Sequence, residues 1–338
     1  MKTNLKRMSM RELEIFFESI GEKKFRAKQV YSWLYKGIYD FEEMSDLSKE
    51  LRAKLEENAF IEKLEILKTQ ISKKDGTRKY LFELSDGNTI EAVFMKYKFG
   101  NSVCISSQAG CRMGCTFCAS GIGGLKRNLN VSEMADQIVA IEKDVNERIS
   151  NVVIMGTGEP FDNYEAVKSL IENINDKNGM NIGMRSITVS TCGIIPKIKE
   201  FARDLPQVNL AISLHSGNDR QRSEMMPINN KYPLAELIEA AKAHTAKTSR
   251  RITFEYALVR GINDSDKHAK EVAALLRGML CHVNLIPLNE VDETGMQGSY
   301  KDKVEAFKKI LEDCGIETTV RRGLGEDIDA ACGQLRLR

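Results

Sequence analysis

The chain lacks the features that mark membrane, fibrous and disordered proteins. No apolar run reaches the roughly 18 residues that a membrane helix requires, no tract is of low complexity, and no repeat of solenoid period recurs. Neither sign of charge dominates, since 50 Lys and Arg stand against 48 Asp and Glu for a net charge of +2. A protein-wide basic field is thereby excluded, and any affinity for nucleic acid has to come from local patches. The opening Met1-Lys2-Thr3-Asn4-Leu5-Lys6-Arg7 carries no apolar core of signal-peptide length. We expect a cytoplasmic protein with no membrane partner.

What is present is ordinary for a soluble globular protein, with 42% hydrophobic and 29% charged residues; disordered and collagen-like chains fall well outside that range. At roughly 150 residues per domain, 338 residues suggest one large domain and a smaller one. A chain of this length buries about three quarters of its unfolded surface and needs no disulfides for stability. The eight cysteines therefore call for another explanation, and in a reducing compartment metal ligation or thiol catalysis comes first.

Hydrophobic periodicity divides the chain. From Ser9 to about Asn58 apolar residues recur at helical spacing (Leu13, Phe16, Phe17 and Ile20, then Val30, Trp33 and Leu34, then Leu47, Leu51 and Leu55), which predicts a small helical domain over 1–62. From Leu64 to Met95 the period changes to two, and Asp75-Gly76 and Asp86-Gly87 supply hairpin turns, so residues 63–100 read as a β-hairpin segment. From 101 to 324 short β-branched runs alternate with helical patterns. Strands are expected at Val103–Ser106, Asn151–Met155, Ser186–Ser190, Val208–Leu214, Arg251–Leu258, His282–Pro287 and Glu317–Arg321, with helices between them. The fold class is α/β, a parallel βα sheet curled into a full or partial barrel, whose site should lie at the C-terminal ends of the strands.

Just after the first of those strands stands Cys111-Arg112-Met113-Gly114-Cys115-Thr116-Phe117-Cys118. Structural zinc usually takes four protein ligands, and no fourth Cys or His lies close by; a 4Fe-4S cluster held by three cysteines keeps one iron open for a ligand. Buried core thiols are the bland alternative, which the flanking Gly110 and Gly114 disfavour. One βα unit later, Met155-Gly156-Thr157-Gly158-Glu159-Pro160 combines close backbone approach at its glycines with a carboxylate suited to an ammonium group. Alone, such a turn is more often only a turn.

The three-cysteine loop resembles that of the radical S-adenosylmethionine superfamily, whose fold is a partial parallel βα barrel. The resemblance implies that Cys111, Cys115 and Cys118 hold a 4Fe-4S cluster and that S-adenosyl-L-methionine chelates its open iron. It carries over Gly158, Glu159, Ser190, Ser213, Leu214, His215 and Asn289 as cofactor contacts; a hydrogen-bonded strand-end histidine remains an equal reading of His215. His244, His268 and His282 read as structural or surface residues.

More specific matches run from Cys104-Ile105-Ser106-Ser107-Gln108 through Ser213-Leu214-His215 and Met226-Pro227-Ile228-Asn229 to Gly325-Glu326-Asp327-Ile328-Asp329-Ala330-Ala331-Cys332-Gly333-Gln334-Leu335. They are similar to the RlmN/Cfr family, which methylates adenosine in ribosomal RNA at an unreactive ring carbon. Glu159-Pro160 and Leu285-Ile286-Pro287-Leu288-Asn289 lie closer to its carbon-2 branch, while Thr157 departs from the methionine common there. The resemblance implies that Cys332 receives a methyl group from one S-adenosylmethionine and that a second molecule provides a 5'-deoxyadenosyl radical. A methylene radical on Cys332 then adds to adenine, and a Cys104–Cys332 disulfide releases the product. Residues 325–338 would form a catalytic tail. Glu91 matches the position assigned as proton acceptor, with Cys104 as competitor; on spacing alone Glu91 is a solvent-facing strand carboxylate. Cys192, Cys281 and Cys314 read as small buried hydrophobes.

The implied partners are 23S rRNA, tRNA and a reducing system such as flavodoxin or ferredoxin, for a monomer using two S-adenosylmethionines per turnover. RNA contact would use Lys23, Lys24, Arg26, Lys28 and Lys36 interleaved with Phe25, Tyr31, Trp33, Tyr35 and Tyr39, extended by Arg321, Arg322, Arg336 and Arg338. An amphipathic helix with buried aromatics explains the same pattern equally well. Rival functions are the carbon-8 sibling that confers antibiotic resistance, an iron–sulfur redox sensor without methyl transfer, and an RNA-binding assembly factor.

Overall fold

The computed structural model describes residues 2–289 and 295–335; Arg336 and Arg338 lie outside them. Three helices come first: α1 (Met10–Ser19), α2 (Phe25–Leu34) and α3 (Lys49–Asn58). Ser9 caps α1, accepting from the Glu12 amide while the Glu12 carboxylate accepts from the Ser9 amide. Ser48 caps α3, and the parallel pair β1 (Thr3–Asn4) and β2 (Ala59–Phe60) ties the two ends of this unit together. Its contact with the rest is polar as well as apolar. Lys6, fully buried, forms an ion pair with Asp136 of α4 (Val131–Val145), and the Tyr39 hydroxyl and Leu64 amide donate to the same carboxylate at 2.9 and 3.2 Å. A buried pair satisfied in this way fixes orientation more than it adds stability.

The hairpin segment contains β3 (Glu65–Ile71), β4 (Arg78–Glu83) and β5 (Thr89–Tyr97), with Gly76 and Gly87 at positive φ in the two turns. It is continuous with the barrel: β5 runs antiparallel to β6 (Gly100–Cys104), pairing Val93 with Cys104. After β6 comes the small ribbon β7 (Gln108–Ala109) and β8 (Arg127–Asn128), then β9 (Asn151–Ile154), β10 (Ile187–Thr191), β11 (Asn209–Ser213), β12 (Ile252–Leu258), β13 (Cys281–Pro287) and β14 (Glu317–Val320). One ten-stranded sheet results, ordered β14-β13-β12-β11-β10-β9-β6-β5-β4-β3, parallel from β14 to β6 and antiparallel beyond. The barrel is therefore partial, and the hairpin is the extension of its sheet.

Helices α4, α5 (Tyr164–Asn175), α6 (Ile195–Asp204), α7 (Asp219–Met225), α8 (Leu234–Thr248), α9 (Asp266–Leu276) and α10 (Lys301–Asp313) cover the outer face. The core lies between them and outward side chains such as Val152, Ile187, Leu210, Phe254 and Val283, all buried. Most barrel strands and helices agree with the periodicity to within a residue, but β6 starts three residues before and ends two before the expected Val103–Ser106. Helix α7 is unexpected, since its seven residues Asp-Arg-Gln-Arg-Ser-Glu-Met have no apolar stripe to announce a helix.

Candidate active site

Six of the eight cysteines, Cys104, Cys111, Cys115, Cys118, Cys192 and Cys332, line one cavity of about 160 Å³ at the C-terminal ends of the strands. Cys281 is buried elsewhere and Cys314 is exposed. Cys192, read from sequence as a core hydrophobe, is indeed buried, yet it forms part of the same sulfur-lined wall. All eight thiols are free.

The loop bearing Cys111, Cys115 and Cys118 is fastened by its backbone. The Thr116 amide donates to Met225 at 3.0 Å and Cys118 to Cys115 at 3.2 Å, while Arg112 pairs with Asp162. Burial pushes all three thiols up, Cys111 to about 11. Among the described residues no three His, Cys, Asp or Glu groups converge closely enough for one metal ion. Three thiols spread around a common cavity suit a cluster, in which each cysteine holds a different iron, better than a single zinc. The charge balance also fits. Arg222, fully buried, donates to the carbonyls of Leu214, Ser213 and Cys192 and to Asn229 Oδ1 at 2.7–3.1 Å, and among the described residues no carboxylate pairs with it directly. Its charge favours the anionic form of Cys115 and so the thiolates that a cluster requires.

The expected cofactor segment lies on the adjoining wall. Gly158 has φ +107°, and a Cβ there would stand 2.6 Å from Gln108 Cβ, so the turn after β9 needs glycine to pass the strand beside it. Glu159 is buried and lines the cavity. Its carboxylate already accepts from the Phe161 and Cys192 amides at 2.9 and 2.7 Å, so it organises two backbone turns. Burial raises its pKa and these amides oppose the rise. Ser190, Ser213 and His215 also face the cavity. Leu214, also expected as a cofactor contact, is fully buried and does not line the cavity; its amide donates to the Glu255 carbonyl at 2.9 Å. Asn289 does not join this wall; it lines an adjoining crevice that also reaches Cys332.

His215 is the hydrogen-bonded strand-end histidine of one reading, and it also lines the cavity. Its Nδ1 accepts from the Ala257 amide at 2.8 Å, its carbonyl accepts from Asn263 Nδ2 at 2.8 Å, and its backbone sits at φ +56°. Burial, reinforced by Arg222, drops its pKa to about 3. The imidazole is thus neutral, with the Nε2 proton as its donor. The other histidines are structural: His268 completes the capping box of α9 with Ser265, His244 stacks on Phe201, and His282 bonds Thr319.

Cys104 ends β6, and Cys332 arrives on the tail from the far end of the chain. The tail is tied at both sides. On the hairpin, Asp75 Oδ2 accepts from the Gly325 amide at 3.0 Å, Ser72 Oγ donates to Asp327 at 2.7 Å, and Lys79 Nζ donates to the Asp329 carbonyl at 3.3 Å. On the cluster loop, Ala119 donates to the Gly333 carbonyl at 2.9 Å and Ser120 Oγ to that of Leu335 at 3.1 Å. Gly325 has φ +65° beside Ala330 and Thr77, a bend that a side chain would obstruct. Burial first, then Cys332, pushes the Cys104 thiol up to about 12, against the opposing charge of Arg321.

Glu91 departs from the solvent-facing reading. It is fully buried and 3.3 Å from Lys79 Nζ, itself buried. It shares a face of β5 with the cavity-lining Val93 and Met95 but does not itself line the cavity. The aromatics of α2 divide likewise. Tyr31 and Tyr35 are core residues, and Trp33 is half-buried, donating to Asp46 at 2.6 Å beneath Lys36. Phe25 alone is well exposed, at 55%, with Arg26 over its ring. Sequence reading missed Arg222, Asn263 and the Asp75–Asp327 fastening of the tail. The first two sit in polar segments without a motif of their own, and the last depends on contacts 250 residues apart.

Comparisons with known proteins agree with this geometry. The family described as ribosomal RNA large subunit methyltransferase N-terminal domain matches residues 3–61, and the radical SAM superfamily matches 105–273. The chain is 55% identical over 334 residues, 98% of its length and 97% of the relative's, to a probable dual-specificity RNA methyltransferase RlmN from Thermoanaerobacter sp. strain X514. It is 56% identical, with the same coverage, to a protein so described from Caldanaerobacter subterraneus. The crystal structure of a radical SAM methyltransferase from Sphaerobacter thermophilus superposes with a TM-score of 0.95 at 43% identity, covering 99% of this chain and all of that one. Membership of the superfamily implies a 4Fe-4S cluster and S-adenosylmethionine.

Proposed function

The chain belongs to the RlmN family of radical S-adenosylmethionine RNA methyltransferases, and from that premise we propose that it methylates carbon 2 of adenosine in 23S rRNA and of the adenosine 3' of the anticodon in tRNAs. The observation that carries the reading is the meeting of Cys104 and Cys332 in the cavity of the three cluster thiols. An amidine carbon of adenine is electrophilic, so a sulfonium methyl cannot be displaced onto it directly; the methyl has to arrive as a nucleophilic radical, which a methylated protein thiol can supply.

Cys111, Cys115 and Cys118 would hold the cluster, and Gly158, Glu159, Ser190, Ser213 and His215 would bound the S-adenosylmethionine site. When bound, the cluster and two molecules of S-adenosylmethionine per turnover supply the methyl group and a hydrogen-abstracting radical. Cys332 carries the methyl as a thioether and, once activated, is the sulfur joined to adenine. Cys104 then attacks that sulfur, and the resulting disulfide releases the methylated base. Of the two candidates for removing the ring proton, the cavity-wall position of Cys104 favours it over Glu91, which stands behind the wall against Lys79. The disulfide must be reduced after each cycle; the proposal also includes a reducing system such as flavodoxin or ferredoxin, and a monomer in the cytoplasm.

The test is anaerobic reconstitution with iron and sulfide, incubation with S-adenosylmethionine, reductant and a 23S rRNA fragment or tRNA, then mass spectrometry of the nucleosides. We expect 2-methyladenosine. The 8-methyl isomer would move the protein to the sibling branch, and no methylated product from an intact cluster would defeat the proposal.

A further inference from the structure

The inward faces of the parallel strands change character along the barrel. Near the loops they are apolar or sulfur-bearing, as at Met155, Ala257, Ile286 and Leu288. Towards the N-terminal ends the strands present Ser102, Asn151, Thr188, Thr253, Asn284 and Thr319. A closed βα barrel packs this region with layers of Val, Ile and Leu. Here short polar side chains leave a second cavity of about 500 Å³. It shares Met95, Met155, Glu255 and Arg321 with the cavity of Cys104 and Cys332, so the two cavities adjoin across these side chains.

The lumen opens sideways where the barrel does not close. On one side stands β14, the free edge of the sheet. On the other is the end of β5, whose pairing with β4 stops at Phe94, so that Met95 to Tyr97 outrun that neighbour. The rim is cationic. Arg185, Arg251 and Arg322 line it and are exposed, Arg251 pairing with Glu317. Among the described residues the one acidic lining residue is Glu255, which is buried and accepts from Asn284 at 2.8 Å. The rim is also aromatic. Phe99 is 73% exposed yet lies flat against Tyr97, with centroids 4.8 Å apart and ring planes at 11°. A phenyl ring held parallel at the mouth of a polar lumen has its outer face open, a platform suited to a nucleobase.

We propose that this side opening is the route by which the target adenosine reaches Cys332, with a flanking base stacked on Phe99 and neighbouring phosphates held by Arg322 and Arg185. The inference rests on the reading of the protein as an RNA methyltransferase and adds to it the face on which the RNA lies. A base lifted from its stack would pass between Met95 and Arg321, the two residues common to both cavities and to the crevice beside the tail.

The experiment is photocrosslinking of the full-length protein to an RNA fragment carrying 4-thiouridine beside the target adenosine, with the modified peptides mapped by mass spectrometry. Crosslinks should fall on Tyr97–Phe99, Arg185 or Arg322. Crosslinks confined to the loop end, around Arg112, Pro227 and Lys231, would overturn the route. In steady state, Phe99→Ala and Arg322→Ala should each raise KM for RNA about tenfold with little change in kcat, and Arg322→Lys should recover most of the loss. An unchanged KM in both variants would also overturn it. Crosslinking requires binding and not turnover. RNA captured at this mouth but never methylated would sink the methyltransferase reading and leave only the docking of RNA at this face standing, whereas methylated RNA captured elsewhere would sink the route alone.

Discussion

The two sulfur-bearing segments of this molecule are held mainly by different means. The cluster loop sits between β7 and β8 and is fixed by backbone hydrogen bonds to its neighbours, such as Thr116 to Met225. The tail that brings in Cys332 follows β14 and is fastened largely by side chains of a hairpin far away in sequence, Asp75, Ser72 and Lys79. Backbone anchorage suits three thiols that, in the proposed cycle, share one stationary cluster. Side-chain clips suit a thiol that, in the proposed cycle, changes covalent partner from methyl to base to Cys104, because each bond can yield without unravelling a strand.

The largest effect should come from exchanging cysteine for serine in each segment. Cys111→Ser should lose the cluster absorbance and all cleavage of S-adenosylmethionine. Cys332→Ser should keep the cluster while methyl transfer falls by on the order of 10³-fold or more. Loss of the cluster in both variants would mean that the tail is structural for the loop, and the contrast would collapse. Next comes the base of the tail. Lys79 and Glu91 form a pair that is 5% and 0% exposed, and removing one partner of such a pair costs about 3–5 kcal/mol. Lys79→Met should therefore lower the unfolding temperature by several degrees in calorimetry, with part recovered in Lys79→Met/Glu91→Leu. A single variant as stable as the parent would show that the pair does not brace the tail.

A smaller and more selective effect is expected at Asp327, which accepts from Ser72 Oγ and from the Lys73 amide at 3.1 Å. Asp327→Asn should leave cluster content intact, speed hydrogen exchange in residues 325–335 and reduce methyl transfer about tenfold through misplacement of Cys332. Acid should mimic it. The Asp327 carboxyl is held below its usual value, first by Ser72, and Asp75 is also low, its bonds to Thr77 and Gly325 outweighing burial. A depressed folded pKa gives stability that is present above the ordinary carboxylate value and lost as pH falls through the folded one. Tail exchange should thus accelerate below about pH 4; acceleration at neutral pH would contradict the clip.

The same contrast explains what the sequence revealed. The three-cysteine loop is legible because its thiols fall within eight residues and their spacing is itself the signal. The barrel is legible because β12 and β13 are continuous buried runs, Ile-Thr-Phe-Glu-Tyr-Ala-Leu and Cys-His-Val-Asn-Leu-Ile-Pro, separated by an amphipathic helix. The nearness of Cys104 and Cys332 has no local trace and could be inferred only by resemblance, because it depends on the pairing of β5 with β6 and on where the tail turns back. The hairpin looked separate because its alternating pattern differs from the barrel strands; the pairing of Val93 with Cys104 that merges them is a tertiary fact. Arg222 was invisible for a related reason. In sequence it is one charge in a charged heptapeptide, and only folding surrounds it with four oxygen acceptors.

The finest distinction concerns Cys104, the thiol proposed to close on Cys332. With its pKa pushed up to about 12, only on the order of 10⁻⁵ of it is thiolate at pH 7, and the thiolate is the attacking form. In reduced protein without the cluster, formation of the Cys104–Cys332 bond by a mild disulfide oxidant should quicken about tenfold per pH unit from 7 to 11, read by mass spectrometry after acid quench. The sign for stability is the reverse. The folded pKa lies above the ordinary thiol value, so the contribution of this buried thiol is fully present below about pH 9 and lost as pH rises through about 12. Arg321 is the charge that opposes the rise. Arg321→Met should therefore slow closure a few-fold at every pH below 11 and leave the slope of the profile unchanged. A rate independent of pH between 7 and 10, or one untouched by Arg321→Met, would mean that Cys104 is not held as a buried thiol beside that guanidinium and that the tail moves away before the bond forms.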